Sequence, residues 1–254
     1  MVIKLLWQIL REIHYRFQGT SFEKIPGART AYRKLVNLSG ITVVHDGIQL
    51  ETLSVSNTHY AKGYEADIVQ LVQNRVSPGD TVLELGCSLG YFTTLFSKIV
   101  TDDGLVIGYE INKKRYEILK NNLERNDCHN VTVYNLGVAS KSHNTDSQQK
   151  GKSSDNEYVV LDEHLTVDPD FVKIDIEGAE YEALLGMEQL LSKDRPVIVC
   201  EVHPDKMEPF GNTTDDLFKF LDEIEYDIYR VNEDDIEKVT GFGSTREHYL
   251  FQPN

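Results

Sequence analysis

The sequence predicts a doubly wound α/β fold with a mostly parallel sheet, and three observations carry that prediction. Short strand-like runs alternate with helical segments over most of the chain beyond residue 60. The inner runs are continuously apolar, as strands covered on both faces are. A glycine-bearing turn, Gly86-Cys87-Ser88-Leu89-Gly90, follows the first of these runs and opens a helix, and such folds bind ligands at that kind of turn.

Taken in order, MVIKLLWQILREIHYRF sets Ile3, Leu6, Trp7 and Leu10 at helical spacing, with Lys4, Arg11 and Arg16 elsewhere around the wheel. This is a basic amphipathic helix, suited to docking on its own domain, on a second subunit or on an anionic lipid surface. Gln8 interrupts a short apolar core, so no secretory signal is predicted. A second helix is expected over 28–38. Two β-rich runs then flank Asp46-Gly47, a dipeptide that suits a two-residue hairpin turn with positive φ at both positions. Residues 1–55 are expected to form an N-terminal helical and hairpin extension, and 56–254 the main domain.

In the main domain, helical periodicity over 64–76 ends at Ser77-Pro78-Gly79-Asp80, a turn cluster. Strands are expected at 81–85, 105–110 and 131–135, with helices at 90–100 and 113–126 between them. The polar stretch 141–157 reads as an exposed loop. A strand at 171–175, a helix over 179–192 and a strand at 196–201 follow. A helix at 214–224 and strands at 227–231 and 248–252 close the chain, the last two adding an antiparallel edge.

Charge limits the partners. The net charge is −15, from 26 Lys+Arg and 41 Asp+Glu. Residues 1–40 hold seven basic side chains against Glu12 and Glu23, a net of +5, so 41–254 carry −20. A main domain this acidic repels phosphate backbones, and nucleic acid is not the expected partner. No apolar run approaches the ~20 residues that span a bilayer. Three scattered cysteines, Cys87, Cys128 and Cys200, suit neither a disulfide framework nor a zinc site. They point to a reduced, cytoplasmic setting, with Cys128 and Cys200 as apolar fillers and Cys87 without an adjoining base.

Gly86 and Gly90 let the backbone approach a ligand, and the following helix presents unpaired N–H groups. Glu110 ends the second strand 20 residues after Gly90, about the offset at which an acid accepts ribose hydroxyls. The loop lacks the G-x-G-x-x-G pyrophosphate fingerprint and a Walker lysine. Glu84 aims a carboxylate at the loop, which disfavours a pyrophosphate and favours a sulfonium or amino group. These residues point to S-adenosylmethionine rather than NAD. Asp175 and Glu177 close one inner strand before Gly178, and Glu201 closes the next, with His203 two residues on. Charged groups at the carboxyl ends of central strands are costly unless they act; their other reading is capping of the helix that follows.

ELGCSLGYF (84–92) resembles motif I of class I S-adenosylmethionine-dependent methyltransferases, a Rossmann-like class. FVKIDIEGAEYEALLGM (171–187), followed by PVIVCEVHP (196–204), resembles the FkbM family, as does the helix-bearing run YEINKKRYEILKNNLERN (109–126). The resemblance spans about residues 60–251. It implies that Glu84, Gly86, Ser88 and Gly90 cradle the methionine moiety and that Glu110 holds the ribose. It also implies that Leu136 and Gly137, within 136–139, face the adenine and that Asp175 lies near the transferring methyl.

The expected reaction is O-methylation of a small molecule, a sugar, glycan precursor or secondary metabolite, lipid-linked if the basic helix meets a membrane. Proton removal from a hydroxyl favours His203 or a buried, raised carboxylate such as Asp175, with Glu201 adjoining. A metal on Asp175, Glu201 and a neighbour is the alternative, though no compact ligand motif supports one. RNA or protein methylation, and ligand binding without chemistry on the same fold, are the rival functions. The segment 59–65 suits a lid or a packed connector, and a homo-oligomer is compatible with the sequence.

Overall fold

The computed structural model describes the backbone of 41–45 and 48–52, and residues 65–141, 157–232 and 235–254 with their side chains. The chain divides into two compact units, 1–64 and 65–254. In the first, β1 (Ile41–His45) pairs antiparallel with β2 (Ile48–Thr52), from Ile41 opposite Thr52 to His45 opposite Ile48. The expected helices within 1–40, the 46–47 turn, segment 59–64 and most of the polar 141–157 stretch lie outside the described residues.

The second unit is an eight-stranded sheet in the order β11-β10-β12-β9-β8-β3-β4-β5. Five of these strands run parallel: β3 (Thr81–Leu85), β4 (Leu105–Tyr109), β5 (Val131–Tyr134), β8 (Phe171–Ile174) and β9 (Val197–Val202). β12 (Glu247–Pro253) inserts antiparallel between β9 and β10 (Tyr226–Val231), and β11 (Ile236–Lys238) forms the edge. Strand order reverses at β3, which has β4 on one side and β8 on the other. That is the place where doubly wound sheets hold ligands.

The apolar runs become buried strands because helices cover them. Val82, Leu83, Leu85, Val106, Val172, Ile174, Ile198 and Val199 are all buried. α1 (Ala66–Arg75) contributes Ile68, Val69 and Val72, and α2 (Tyr91–Val100) buries Phe92, Leu95, Phe96 and Val100. α3 (Lys113–Arg125) is started by Asn112, whose side chain accepts from Lys114 N and Arg115 N. The short α4 (Leu161–His164) follows β6 (Gly137–Val138) and β7 (Tyr158–Val159), a two-residue parallel pair. Elements this short carry no periodicity, and the sequence gives no sign of them. No helix among the described residues is long and apolar enough to cross a membrane.

One expected helix is broken in two. Residues 179–192 form α5 (Glu180–Leu185) and α6 (Glu188–Lys193), separated at Gly186-Met187. A Cβ on Gly186 would overlap the carbonyl oxygen of Ala139, so the backbone approaches closely there. The Asp162 carboxylate accepts from Gln189 N and Leu190 N at 3.0 Å each, satisfying the start of α6 as a helix of its own. A short α7 (Pro204–Met207) and a 3₁₀ turn follow β9, and α8 (Thr214–Glu223) begins with a Thr213–Asp216 capping box.

Candidate active site

The turn after β3 is built by close backbone packing. Gly86 has φ +91°, and a Cβ there would overlap the Asp175 carbonyl. Its N–H donates to Tyr109 O at 2.9 Å, and Asp175 N donates to Leu85 O at 2.9 Å. The ends of β3, β4 and β8 are thereby tied together. Ser88 takes φ 50° although it has a side chain, and its N–H donates to the Glu110 carboxylate at 2.7 Å. The other Glu110 oxygen accepts from Asn112 N at 2.7 Å. Glu110 is 4% exposed, and burial raises its pKa against the pull of these two N–H groups. Asn122 of α3, also buried, donates to Leu89 O at 2.7 Å.

Below the turn, Glu84 is buried and accepts from Thr93 Oγ1 at 2.6 Å. Burial pushes its pKa up to about 7, although Lys173 draws it down. Cys87 is buried over Gly108, where a Cβ would collide with its sulfur. Its thiol is held far above the ordinary range by burial and by Glu84, as an inert filler would be. Leu136 is half-buried, and Gly137 is packed against the Tyr158 ring and Ile111. Gly137 N donates to Glu157 O at 2.8 Å.

The second half of the site lies at the ends of β8 and β9, where a charged network converges. Asp175 is a quarter exposed, and its Oδ2 is 3.7 Å from the Lys173 ammonium, which is buried. Burial pushes Asp175 up to about 6; Lys173 opposes this, and the facing Glu201 reinforces it. Glu201 is buried and ionised: its pKa is held down by His203, His248 and the contact with Asp175 despite the desolvation cost. Arg246 Nε approaches Glu201 Oε1 at 3.1 Å from an exposed position.

His203 is 1% exposed. Nδ1 meets Glu180 Oε1 at 2.9 Å and Nε2 meets Glu201 Oε2 at 3.3 Å. Burial opposes the charge, but the two carboxylates outweigh it and hold the pKa up to about 10. The ring is therefore an imidazolium at neutral pH. A general base needs a free lone pair, and each ring nitrogen here faces a carboxylate oxygen. With a carboxylate at each nitrogen, the ring bridges α5 and β9, an arrangement that favours another group as the base.

The capping expectation changes as well. Neither Asp175 nor Glu177 caps α5. Glu180 Oε1 instead accepts from Gly178 N at 2.8 Å, and Glu177 pairs with Lys206. Glu177 takes φ 59° and Gly178 φ 107°, so left-handed backbone follows both β3 and β8. A Cβ on Gly178 would overlap the Lys206 carbonyl. We expect Gly178→Ala to lower unfolding free energy by about 2 kcal/mol or more, because strain and overlap act together. Urea unfolding checks this, and a change below about 0.5 kcal/mol would contradict the packing account.

Asp175, Glu201 and His203 offer ligand atoms within 4.8 Å of one another, a grouping that can also take a cation. Protein cations already serve these groups: Lys173 faces Asp175, and Arg246 and the His203 ring face Glu201. Sequence reasoning brought Asp175, Glu201 and His203 to one end of the sheet. It did not select Lys173, Thr93, Asn122, Arg246 or His248. Lys173 had a visible signal, a lone charge inside the apolar run FVKI, and Asn122 lies in the run YEINKKRYEILKNNLERN that carries the family resemblance; Thr93 lies among ordinary helix residues and had none.

The sheet order and the glycine turn beside an acidic strand end are those of the class I, Rossmann-like methyltransferase fold. Residues 70–228 match the Methyltransferase FkbM domain, and the chain belongs to that family. Among solved structures it is similar to an FkbM methyltransferase from Methylobacillus flagellatus KT, with a TM-score of 0.53 and 19% identity over 70% of this chain and 44% of that one. It is also similar to a putative rRNA-methylase from Clostridium thermocellum, with a TM-score of 0.50 and 14% identity over 74% of this chain and 93% of that one. Both likenesses show the shared fold.

A 92-residue stretch is 34% identical to the catalytic subunit of a tRNA (adenine(58)-N(1))-methyltransferase from Yarrowia lipolytica, covering 36% of this chain and 23% of that protein. The chain thus spans under a quarter of this curated relative and under half of the FkbM structure.

Proposed function

We propose that this protein transfers the methyl group of S-adenosylmethionine to a hydroxyl of a small acceptor, with a sugar or glycan precursor as the favoured class. The observation that carries the reading is Asp175: a partly exposed carboxylate at the end of β8, beside the glycine turn, with its pKa near the working range.

The residues present fit the cofactor. Glu110 is a fixed carboxylate at the end of β4, where a ribose diol is accepted, and its oxygens already orient the Ser88 and Asn112 amides. Glu84 and Asp175 are carboxyl groups on the side where a sulfonium and an amino group are favoured, and a cation bound there would draw their raised pKa values down. Gly86 and Gly90 keep the turn close to the strand ends, and Leu136 and Gly137 are the residues in our reading that border the adenine. When bound, the cofactor supplies a methyl on an already activated carbon. The protein therefore has to align the acceptor and receive its proton.

Asp175 is the group placed to receive that proton. Glu201, kept ionised by Arg246 and His203, raises the proton affinity of the carboxylate beside it. The partly exposed Asp175 carboxylate can accept a hydrogen bond from an acceptor hydroxyl, which suits an alcohol or sugar. The −20 charge of residues 41–254 disfavours an RNA acceptor.

The test is methyl transfer from labelled S-adenosylmethionine to a panel of sugars, nucleotide sugars, phenols and RNA. Label is expected on a hydroxyl compound, with turnover rising as pH passes about 6, where Asp175 loses its proton. Asp175→Asn is expected to lower turnover by ~10²-fold or more while leaving cofactor affinity within a few-fold. Transfer to RNA alone, or an unaltered rate in Asp175→Asn, contradicts the reading.

A further inference from the structure

Lys173 is an unusual residue for its position. It lies in the middle of β8, directly across from Glu84 in the β3 register, and is 2% exposed. Its ammonium sits 4.5 Å over the Phe92 ring and 3.7 Å from Asp175 Oδ2. Placing an ammonium in a central parallel strand costs several kcal/mol unless partners compensate. An apolar residue of similar length would fill the same space without that cost, so packing alone does not account for a lysine here. Its ion pair is with Asp175, on the acceptor side in our reading, while Glu84 under the glycine turn acts on it through space.

We propose that Lys173 is a positioning residue of the active site, whose buried ammonium pairs with Asp175, acts through space on Glu84 across the β3 register, and holds Asp175 in its working orientation. The charged groups around it come from every neighbouring element: Glu84 on β3, Asp175 on β8, Glu201 on β9 and Glu65 before α1 all raise its pKa against the desolvation cost. Asp175 in turn is faced by Lys173, Glu201 and Glu65. Lys173 opposes the combined effect of burial and the two glutamates on Asp175, so it sets how strongly that group holds a proton. The phenyl face of Phe92 fixes the ammonium laterally, where water would otherwise serve.

This inference builds on the methyl-transfer reading, but its main test does not require turnover. In full-length protein with carboxyl-¹³C aspartate, the Asp175 resonance is assigned by its loss in Asp175→Asn and followed through a pH titration. Lys173→Met is expected to raise the Asp175 midpoint by about one unit or more, a tenfold gain in proton affinity, and Lys173→Arg to restore most of it. Because Lys173→Met leaves Glu84 buried without its cation, the double variant Glu84→Gln/Lys173→Met provides a second carrier of the same readout.

Where an acceptor is in hand, the acidic limb of the turnover profile should move upward in step, with about fivefold less activity at pH 6 for a one-unit displacement and a smaller loss at pH 8. A midpoint that stays within about 0.3 unit of wild type in the variants lacking the ammonium overturns the proposal and leaves Lys173 a packing residue. Absence of methyl transfer by the wild-type protein, with the midpoint still displaced, overturns the reaction and not the role of Lys173.

Discussion

Replacing Glu110 with alanine is expected to reduce S-adenosylmethionine affinity by ~100-fold, about 2.7 kcal/mol. Two losses combine. The ribose loses its acceptor, and the Ser88 and Asn112 amides lose the charged partner that each meets at 2.7 Å. Hydrogen bonds to a charged group contribute ~1.5–3 kcal/mol each, and Ser88 holds a left-handed backbone that needs outside support. The turn should therefore loosen before any ligand arrives.

Calorimetric titration with S-adenosylmethionine and S-adenosylhomocysteine measures the effect, and both ligands should weaken alike because they share the ribose. Glu110→Gln separates the parts, since an amide oxygen can serve one N–H while the amide nitrogen cannot accept the other. An affinity within threefold of wild type in Glu110→Ala would remove Glu110 from the cofactor site and leave it a loop anchor.

Removing the imidazole of His203 should cost stability more than any surface change, about 3–5 kcal/mol for His203→Ala. The ring lies between Glu180, which is 0% exposed, and Glu201, which is 6% exposed. Taking it away leaves two buried carboxylates without their shared cation. Glu180 Oε2 already lacks a hydrogen-bond partner, so nothing nearby replaces the lost one.

The same pair gives a pH signature. An unfolded histidine titrates near 6.5 and the folded one near 10, so folding takes up a proton between those values. The stabilisation is complete below about pH 6.5 and is lost as pH rises through the folded value. Subtracting the denaturation curves of His203→Gln from those of wild type isolates this contribution from lysines and tyrosines that titrate in the same range. The difference should shrink steadily from pH 7 to pH 10. A difference that is flat across that window would mean that the ring is neutral in the fold.

Much of the fold was legible because each inner strand is a short apolar run bounded by turn residues. TVLEL, FVKI and VIVC can only be central strands once helices are available to cover them. The break in the 179–192 helix was not legible. It depends on Asp162 reaching the amides of Gln189 and Leu190 from 27 and 28 residues away and on the approach of Ala139 to Gly186. Neither contact leaves a local pattern.

The site divides in the same way. The glycine turn at Gly86 and Gly90 was readable because its left-handed backbone demands glycine, and Glu110 because an acid closing an apolar strand stands out in the sequence. The surroundings of His203 were not readable. A histidine two residues beyond a strand end looks like a general base by composition alone. Its protonation depends on Glu180, 23 residues earlier in the chain, arriving at its other nitrogen.

By itself the sequence determined the class of fold, the place of the glycine turn and the acidic groups gathered at the strand ends. These follow from periodicity and from backbone demands that act within a few residues. Tertiary structure alone decided which of those groups carries a proton. Asp175, Glu201, His203 and Lys173 have unremarked neighbours in sequence, and their charges are set by one another across β8, β9 and α5. Proton affinity in a buried site depends on distance and desolvation, and both quantities exist only once the chain has folded.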